Sequence, residues 1–205
     1  MTVQIVVAAF LLIFQASVQI SLGGRWDSEA RSRGGLGTWI ELADKGACTE
    51  TTGAMVDGIW RLDGDQLTLS IPDETGQPIL QRGTSAIQGN AQTQVLEGQT
   101  RQLTRKGTAA PAQPAIVGLW TYPHPAGGQA YEEYKQDGRF LFRLPITSMS
   151  CQWMADADQL HITTGAESQD MRWRVAGYRL TLDSPGGSQT FRRERAGVIP
   201  AALGR

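Results

Sequence analysis

The tripeptide Gly24-Arg25-Trp26 returns as Gly118-Leu119-Trp120, 94 residues later, and the residues after each copy continue to correspond. Trp39 falls near Tyr131, Lys45-Gly46 matches Asp137-Gly138, and Trp60 matches Trp153. Asp65-Gln66-Leu67 corresponds to Asp158-Gln159-Leu160, Ile87-x-Gly89 to Val175-x-Gly177, and Leu103-Thr104-Arg105 to Phe191-Arg192-Arg193. The offset shrinks from 94 to 88 residues along the segment, as loop insertions and deletions in a shared strand scaffold produce. The chain therefore reads as an internal duplication.

Each half reads as a series of short strands. In the first, Trp39 to Leu42 is a strand and Ala47 to Thr52 is extended. Ile59 to Leu62 runs into Asp63-Gly64, a strong hairpin signal. Leu67, Leu69 and Ile71 face one way while Thr68 and Ser70 face the other. Pro72 and Pro78 bound a loop, and weaker strands surround Ile87, Val95-Leu96 and Leu103. In the second half Tyr131 to Tyr134 is a strand followed by the Asp137-Gly138 turn. Phe140, Phe142 and Leu144 are expected inside, with Leu141 and Arg143 outside. Gln159 to Thr163, Met171 to Val175 and Tyr178 to Leu182 continue the pattern, and Phe191-Arg192-Arg193 closes it. The 24 glycines suit many short strands joined by tight turns.

The expected architecture is all-β, with two tandem antiparallel up-and-down, barrel-like domains. Residues 1–23 form a secretion signal or anchor, 24–106 the first domain, 116–195 the second, and 196–205 a tail without pattern. Residues 107–115 are the linker, with small residues, two prolines and no apolar period. The alternative is one larger barrel in which that linker is a loop.

Ile5 to Phe14 is an unbroken apolar run of secretory length, too short to span a bilayer as a helix. It implies a periplasmic or secreted protein with no membrane span once the segment is cleaved. An uncleaved anchor reaching about Leu22 and a buried core strand are the other readings. A net charge of −1 over 205 residues gives no electrostatic reason to expect nucleic acid as a partner. Forty per cent apolar and 19% charged residues describe a chain that folds. Cys48 and Cys151 occupy different places in the two halves, so a bridge between them has to tie the halves together. The alternative is two buried free thiols.

A Gly-x-Trp on the first strand and an arginine on the last resembles the calycin superfamily, which includes lipocalins, fatty-acid-binding proteins, avidins and bacterial metalloprotease inhibitors. The resemblance implies a small lipocalin-like barrel closed at one end by a basic side chain lying across the indole. On these residues it pairs Trp26 with Arg105, and Trp120 with Arg192 or Arg193. Each half is about half the length usual for a ligand-carrying lipocalin, and the polar biotin-binding set of avidins does not follow Trp26. The resemblance implies a fold and transfers no ligand.

No catalytic constellation stands out. His161 alternates outward between Leu160 and Ile162, and His124 lies between two prolines. Asp63-Gly64-Asp65 and Asp156-Ala157-Asp158 lack the oxygen set calcium needs and read as turns. Two cysteines and two histidines this scattered make no metal site, and no cofactor is expected. Glu132 and Glu133 are adjacent strand residues on opposite faces, so they cannot share one site. Among the aromatic residues, Trp60, Trp153, Tyr131 and Trp173 are the candidates for a ligand cavity, against a core-packing role for the matched Trp60 and Trp153. Arg139, Arg143, Arg172, Arg174 and Arg179 alternate outward, as a basic stripe or as a solvated face. The expected function is an exported, non-enzymatic binding protein of the cell envelope that recognises a small molecule or a protein. A protease inhibitor of the bacterial calycin type and a structural envelope protein are the alternatives. An enzyme would require His161 to meet a carboxylate inside a cleft.

Overall fold

The computed structural model describes residues 22–108 and 113–193. The proposed secretion segment up to residue 21, the C-terminal tail and the middle of the linker lie outside the described residues.

The described chain is an antiparallel all-β protein. Its first half carries β1 (Gly24–Ser28), β2 (Leu36–Leu42), β3 (Ala47–Asp63), β4 (Gln66–Pro72), β5 (Pro78–Gln88), β6 (Ala91–Leu96) and β7 (Gln99–Lys106). The second half repeats the series as β8 (Gly118–Pro123), β9 (Gln129–Tyr134), β10 (Arg139–Ala155), β11 (Gln159–Thr164), β12 (Glu167–Ala176), β13 (Arg179–Ser184) and β14 (Gly187–Arg193). Neighbours in sequence pair with one another, and β1 pairs with β14, so the hydrogen bonding closes into a ring. The expected strands are all present. Ala47–Thr52 and Ile59–Leu62 prove to be parts of one 17-residue strand, as do Phe140–Leu144 and Gln152–Met154.

Those two long strands also pair with each other. This pairing divides the ring into two circuits of eight strand segments, and the compact units follow the circuits. One unit consists of residues 22–31, 37–52 and 147–193, the other of residues 32–36, 53–108 and 113–146. Neither coincides with a half of the sequence. The first takes β1, β2 and the start of β3 from the N-terminal half, and the end of β10 with β11–β14 from the C-terminal half. The second takes the rest of β3 with β4–β7, and β8, β9 and the start of β10. The tandem boundaries expected from sequence are therefore not the boundaries of the compact units. The physical reason is the continuity of β3 and β10, whose extended backbone carries the chain from one circuit into the other without a turn.

The tryptophan–arginine pairs are exchanged accordingly, which corrects the sequence pairing. In the first unit the Arg193 guanidinium carbon lies 4.2 Å from the Trp26 ring centroid, and its Nη2 donates to the Gly23 carbonyl at 2.7 Å. In the second unit Arg105 lies 4.1 Å from the Trp120 ring, and its Nη1 and Nη2 donate to the carbonyls of Val117 and Ala115. The indole N–H groups of Trp26 and Trp120 donate to the carbonyls of Leu22 and Ile116, each at 2.7 Å. Both indoles are wholly buried. Arg192, the other candidate for Trp120, points outward and shares Glu29 with Arg179. Trp60 and Trp153 show the same exchange: the Trp60 indole donates to Lys135 at 2.9 Å and the Trp153 indole to Ala43 at 3.0 Å.

Cys48 and Cys151 are bonded to each other, so the free-thiol alternative is set aside. Both lie in the first unit, one on β3 and one on β10. Around them Leu22, Trp26, Leu42, Trp153, Leu160 and Phe191 belong to a continuous apolar core. Arg143 departs from expectation. It is buried, not solvated, and its Nη1 pairs with Asp57 at 2.7 Å and donates to the Phe142 carbonyl at 2.8 Å. Leu141 is buried as well, so the outward face of β10 is covered at these two positions.

Candidate functional site

The second unit contains a polar cluster inside an otherwise apolar core. Glu132 on β9 is 0% exposed, and so are Tyr134, two residues further along, and Gln92 and Gln94 on β6. Strand alternation puts residues 132 and 134 on the same face of β9, with 92 and 94 on one face of β6. The Tyr134 hydroxyl donates to Glu132 Oε2 at 2.7 Å, and Gln94 Nε2 donates to the Tyr134 oxygen at 2.6 Å. Arg101 on β7 completes the pair, with Nη1 3.0 Å from Glu132 Oε1 and 3.3 Å from the Tyr122 hydroxyl. Its guanidinium carbon also stands 5.5 Å from the Tyr122 ring centroid. Deeper along β6, Gln92 Nε2 donates to Ser85 Oγ on β5 at 2.9 Å.

Burial, then the Glu132 carboxylate, pushes the Tyr122 hydroxyl up to about 12. The same two causes raise Tyr134. Both phenols are thus neutral at ordinary pH. The amide oxygens of Gln92 and Gln94 are buried without a partner, each at a cost of roughly 1–3 kcal/mol. Burying the Glu132 carboxylate costs several kcal/mol more before Arg101 offsets it. This is an expensive interior.

The first unit shows that the frame does not require it. Trp120 pairs across strands with Glu132, and Gly118 with Tyr134. Trp26 pairs in the same way with Ile40, and Gly24 with Leu42. Gln92 and Gln94 oppose Leu103 and Arg101, while Leu180 and Leu182 oppose Phe191 and Gln189. Ser85 opposes Gln94 where Trp173 opposes Leu182. At identical registers, then, one unit holds Ser85, Gln92, Gln94, Arg101, Glu132 and Tyr134, and the other holds Trp173, Leu180, Leu182, Gln189, Ile40 and Leu42. Apart from Gln189, the first unit's set is apolar. In the second unit six apolar side chains pack on the core yet stay partly exposed: Trp60, Leu62, Ile71, Ile87, Phe142 and Leu144. Among the described residues only Trp173 and Val175 have that status beside the core of the first unit.

Of the four aromatic ligand candidates, Trp60 alone lies in this surrounding set, edge-on to Tyr134 with ring centroids 5.9 Å apart. Trp153 is buried and Trp173 partly buried in the first unit, and Tyr131 lies on the face of β9 opposite to Glu132. The structure does not bring these four together. His124 stands beside the cluster, its ring 6.2 Å from Tyr122 and 6.0 Å from Phe142. His161 does meet a carboxylate, Asp170 at 2.7 Å, but on an exposed strand pair where Asp170 is 70% exposed. Glu133 pairs with Lys135 on the face away from Glu132. Arg139 pairs with Asp137 and Arg174 with Asp183, and with Arg143 buried the five arginines do not form one stripe. Among the described residues no group of three or more His, Cys, Asp or Glu is placed to hold a metal ion.

Sequence reading passed over Gln92, Gln94, Arg101, Tyr122 and Tyr134, and met Glu132 only as half of a rejected pair. The signal was present in the alignment of the halves, where Gln92, Gln94, Glu132 and Tyr134 stand against Leu180, Leu182, Ile40 and Leu42. No protein-family model, no curated protein and no solved structure matches this chain.

Proposed function

We propose that this chain is an exported, lipocalin-like binding protein built from a duplicated barrel unit, and that its small-molecule site is the interior of the second unit. The observation that carries the reading is the contrast at matched registers. Glu132, Tyr134, Gln92 and Gln94 replace Ile40, Leu42, Leu180 and Leu182 in a frame that packs without them. A costly polar set retained where an apolar one suffices is what a ligand site requires. Eight strands enclose room for side chains or for one small ligand. The calycin reading draws support from the two indole–guanidinium corners, and export from the apolar run at residues 5–14 together with the Cys48–Cys151 bond.

The test is titration with the neutral fluorophore N-phenyl-1-naphthylamine, read by its emission and by quenching of tryptophan fluorescence. Saturable one-to-one binding is expected. A variant that transplants the first unit's interior (Ser85→Trp, Gln92→Leu, Gln94→Leu, Arg101→Gln, Glu132→Ile, Tyr134→Leu) should stay folded and lose binding. Should that variant not fold, Phe142→Trp and Leu144→Trp, which crowd the same interior from β10, replace it. Absence of saturable binding, or binding untouched by both sets of changes, would defeat the proposal.

A further inference from the structure

We infer that the molecule bound in the second unit carries an anionic head group, a carboxylate or an equivalent oxyanion, received by the free edge of Arg101. The inference rests on the binding reading above and narrows it.

Arg101 is the one charged member of the cluster that reaches solvent, with 27% of its side chain exposed against 0% for Glu132. A guanidinium has five N–H donors in a planar fork. Only Nη1 is engaged, by Glu132 and by the Tyr122 hydroxyl. Among the described residues Nε and Nη2 have no protein partner, and they are not among the buried unpartnered atoms. The buried guanidiniums of the same fold behave differently. Arg105 spends both terminal nitrogens on backbone carbonyls and lies flat on an indole.

Glu132 is the group that makes this arrangement stable. Its Oε1 holds Arg101, its Oε2 accepts from Tyr134, and Tyr134 is braced by Gln94. The guanidinium is therefore fixed from inside the unit, and its outer edge is pre-organised for a bidentate acceptor. Glu132 also neutralises Arg101, so an incoming anion gains hydrogen-bond geometry more than bulk attraction. Tyr122, neutral to about pH 12, adds no repulsion beside it. His124 stands beside Tyr122, and Phe142 lies beside His124 and opposite Glu132, offering apolar surface for the remainder of the ligand. In the first unit the registers of Arg101 and Glu132 hold Gln189 and Ile40, so the frame itself does not ask for this pair.

The experiment compares two probes of similar shape on the full chain. 1-Anilinonaphthalene-8-sulfonate carries an oxyanion, and N-phenyl-1-naphthylamine does not. The native protein should bind the sulfonate more tightly. Arg101→Gln should weaken sulfonate binding about tenfold or more, the worth of one charge-assisted contact, and weaken the neutral probe by a much smaller factor. Arg101→Lys keeps the charge without the fork and should fall between. Because Arg101→Gln strands a buried carboxylate, the double variant Arg101→Gln/Glu132→Gln serves where the single one does not fold. Equal affinities for the two probes, or an equal loss of both in these variants, would overturn the head-group assignment and leave the binding site standing. Failure of both probes to bind the native protein would overturn the binding reading itself.

Discussion

Arg193, on β14, lies with its guanidinium carbon 4.2 Å from the ring centroid of Trp26, on β1. Arg105 bears the same relation to Trp120 at 4.1 Å. Each half of the sequence thus supplies the indole that the other half covers, and this reciprocity is what a double-mutant cycle detects. Trp120→Ala should cost about 3–5 kcal/mol, since the indole is wholly buried and leaves a cavity. Combined with Arg105→Ala it should be non-additive by about 0.5–2 kcal/mol, the scale of a partly desolvated cation–π contact. Trp26→Ala with Arg105→Ala should add. Urea unfolding measures both. Coupling of Trp26 to Arg105 instead of Arg193 would mean that the halves close on themselves.

The strands themselves were legible because their signals are local. Alternation marked Leu67-x-Leu69-x-Ile71, and Asp63-Gly64 marked the hairpin between β3 and β4. The correspondence of Leu103 with Phe191 and of Trp39 with Tyr131 also holds in the strand registers. What escaped was long-range. Nothing within Ala47–Asp63 says that it is one strand passing between two circuits. A Cβ on Gly53 would stand 2.3 Å from the Leu144 carbonyl oxygen, so that glycine marks a close approach of β10, not a turn. Arg143 was misplaced for the same reason, since alternation names a face and not what covers it. The polar cluster was hidden by asking where charges pair along one strand, when Glu132 pairs with Arg101 two strands away.

Gly118 should be less replaceable than its counterpart Gly24. Both adopt positive φ, +138° and +113°, where a side chain is strained. At Gly118 an added Cβ would also stand 2.5 Å from Arg105 Nη1, while at Gly24 the nearest atom, Arg193 Nε, is 3.9 Å away. Arg105 is held by the Val117 and Ala115 carbonyls and has little freedom to retreat. Gly24→Ala is expected to cost the backbone strain alone, on the order of 1–3 kcal/mol. Gly118→Ala should cost more and should abolish the Trp120–Arg105 coupling. Equal losses in denaturant unfolding would show that the arginine yields.

Reducing the Cys48–Cys151 bond should destabilise the chain without dismantling the second unit's site. The cysteines are 103 residues apart, and closing a loop of about that length is worth roughly 4–5 kcal/mol in the chain-entropy account. Cys48→Ala/Cys151→Ala should therefore lower the denaturation midpoint yet retain probe binding, because no residue of the polar cluster lies in the unit that holds the bond. Comparing midpoints and probe affinities of the two forms checks both parts. Loss of binding at unchanged fold would tie the bond to the site.

Alkaline pH should unfold the protein through its buried phenols. Tyr122 titrates at about 12 in the folded chain against an ordinary value of 10.0, raised by burial first and by Glu132 second, and Tyr134 is raised by the same causes. Below pH 10 both tyrosines are neutral whether the chain is folded or not, and their contribution is fully present. Between about 10 and 12 the unfolded chain releases these protons while the folded chain retains them, so the folded state binds more protons and stability falls as pH rises. Tyr122→Phe/Tyr134→Phe removes both linked groups, so the loss of stability between pH 8 and 11 should be smaller in that variant than in the native protein. The variant will start less stable, since Glu132 and Gln94 lose a partner, and for that reason the slope against pH is the readout, not the midpoint at one pH. Parallel slopes for the two proteins would show that neither hydroxyl is shielded in the way the cluster implies.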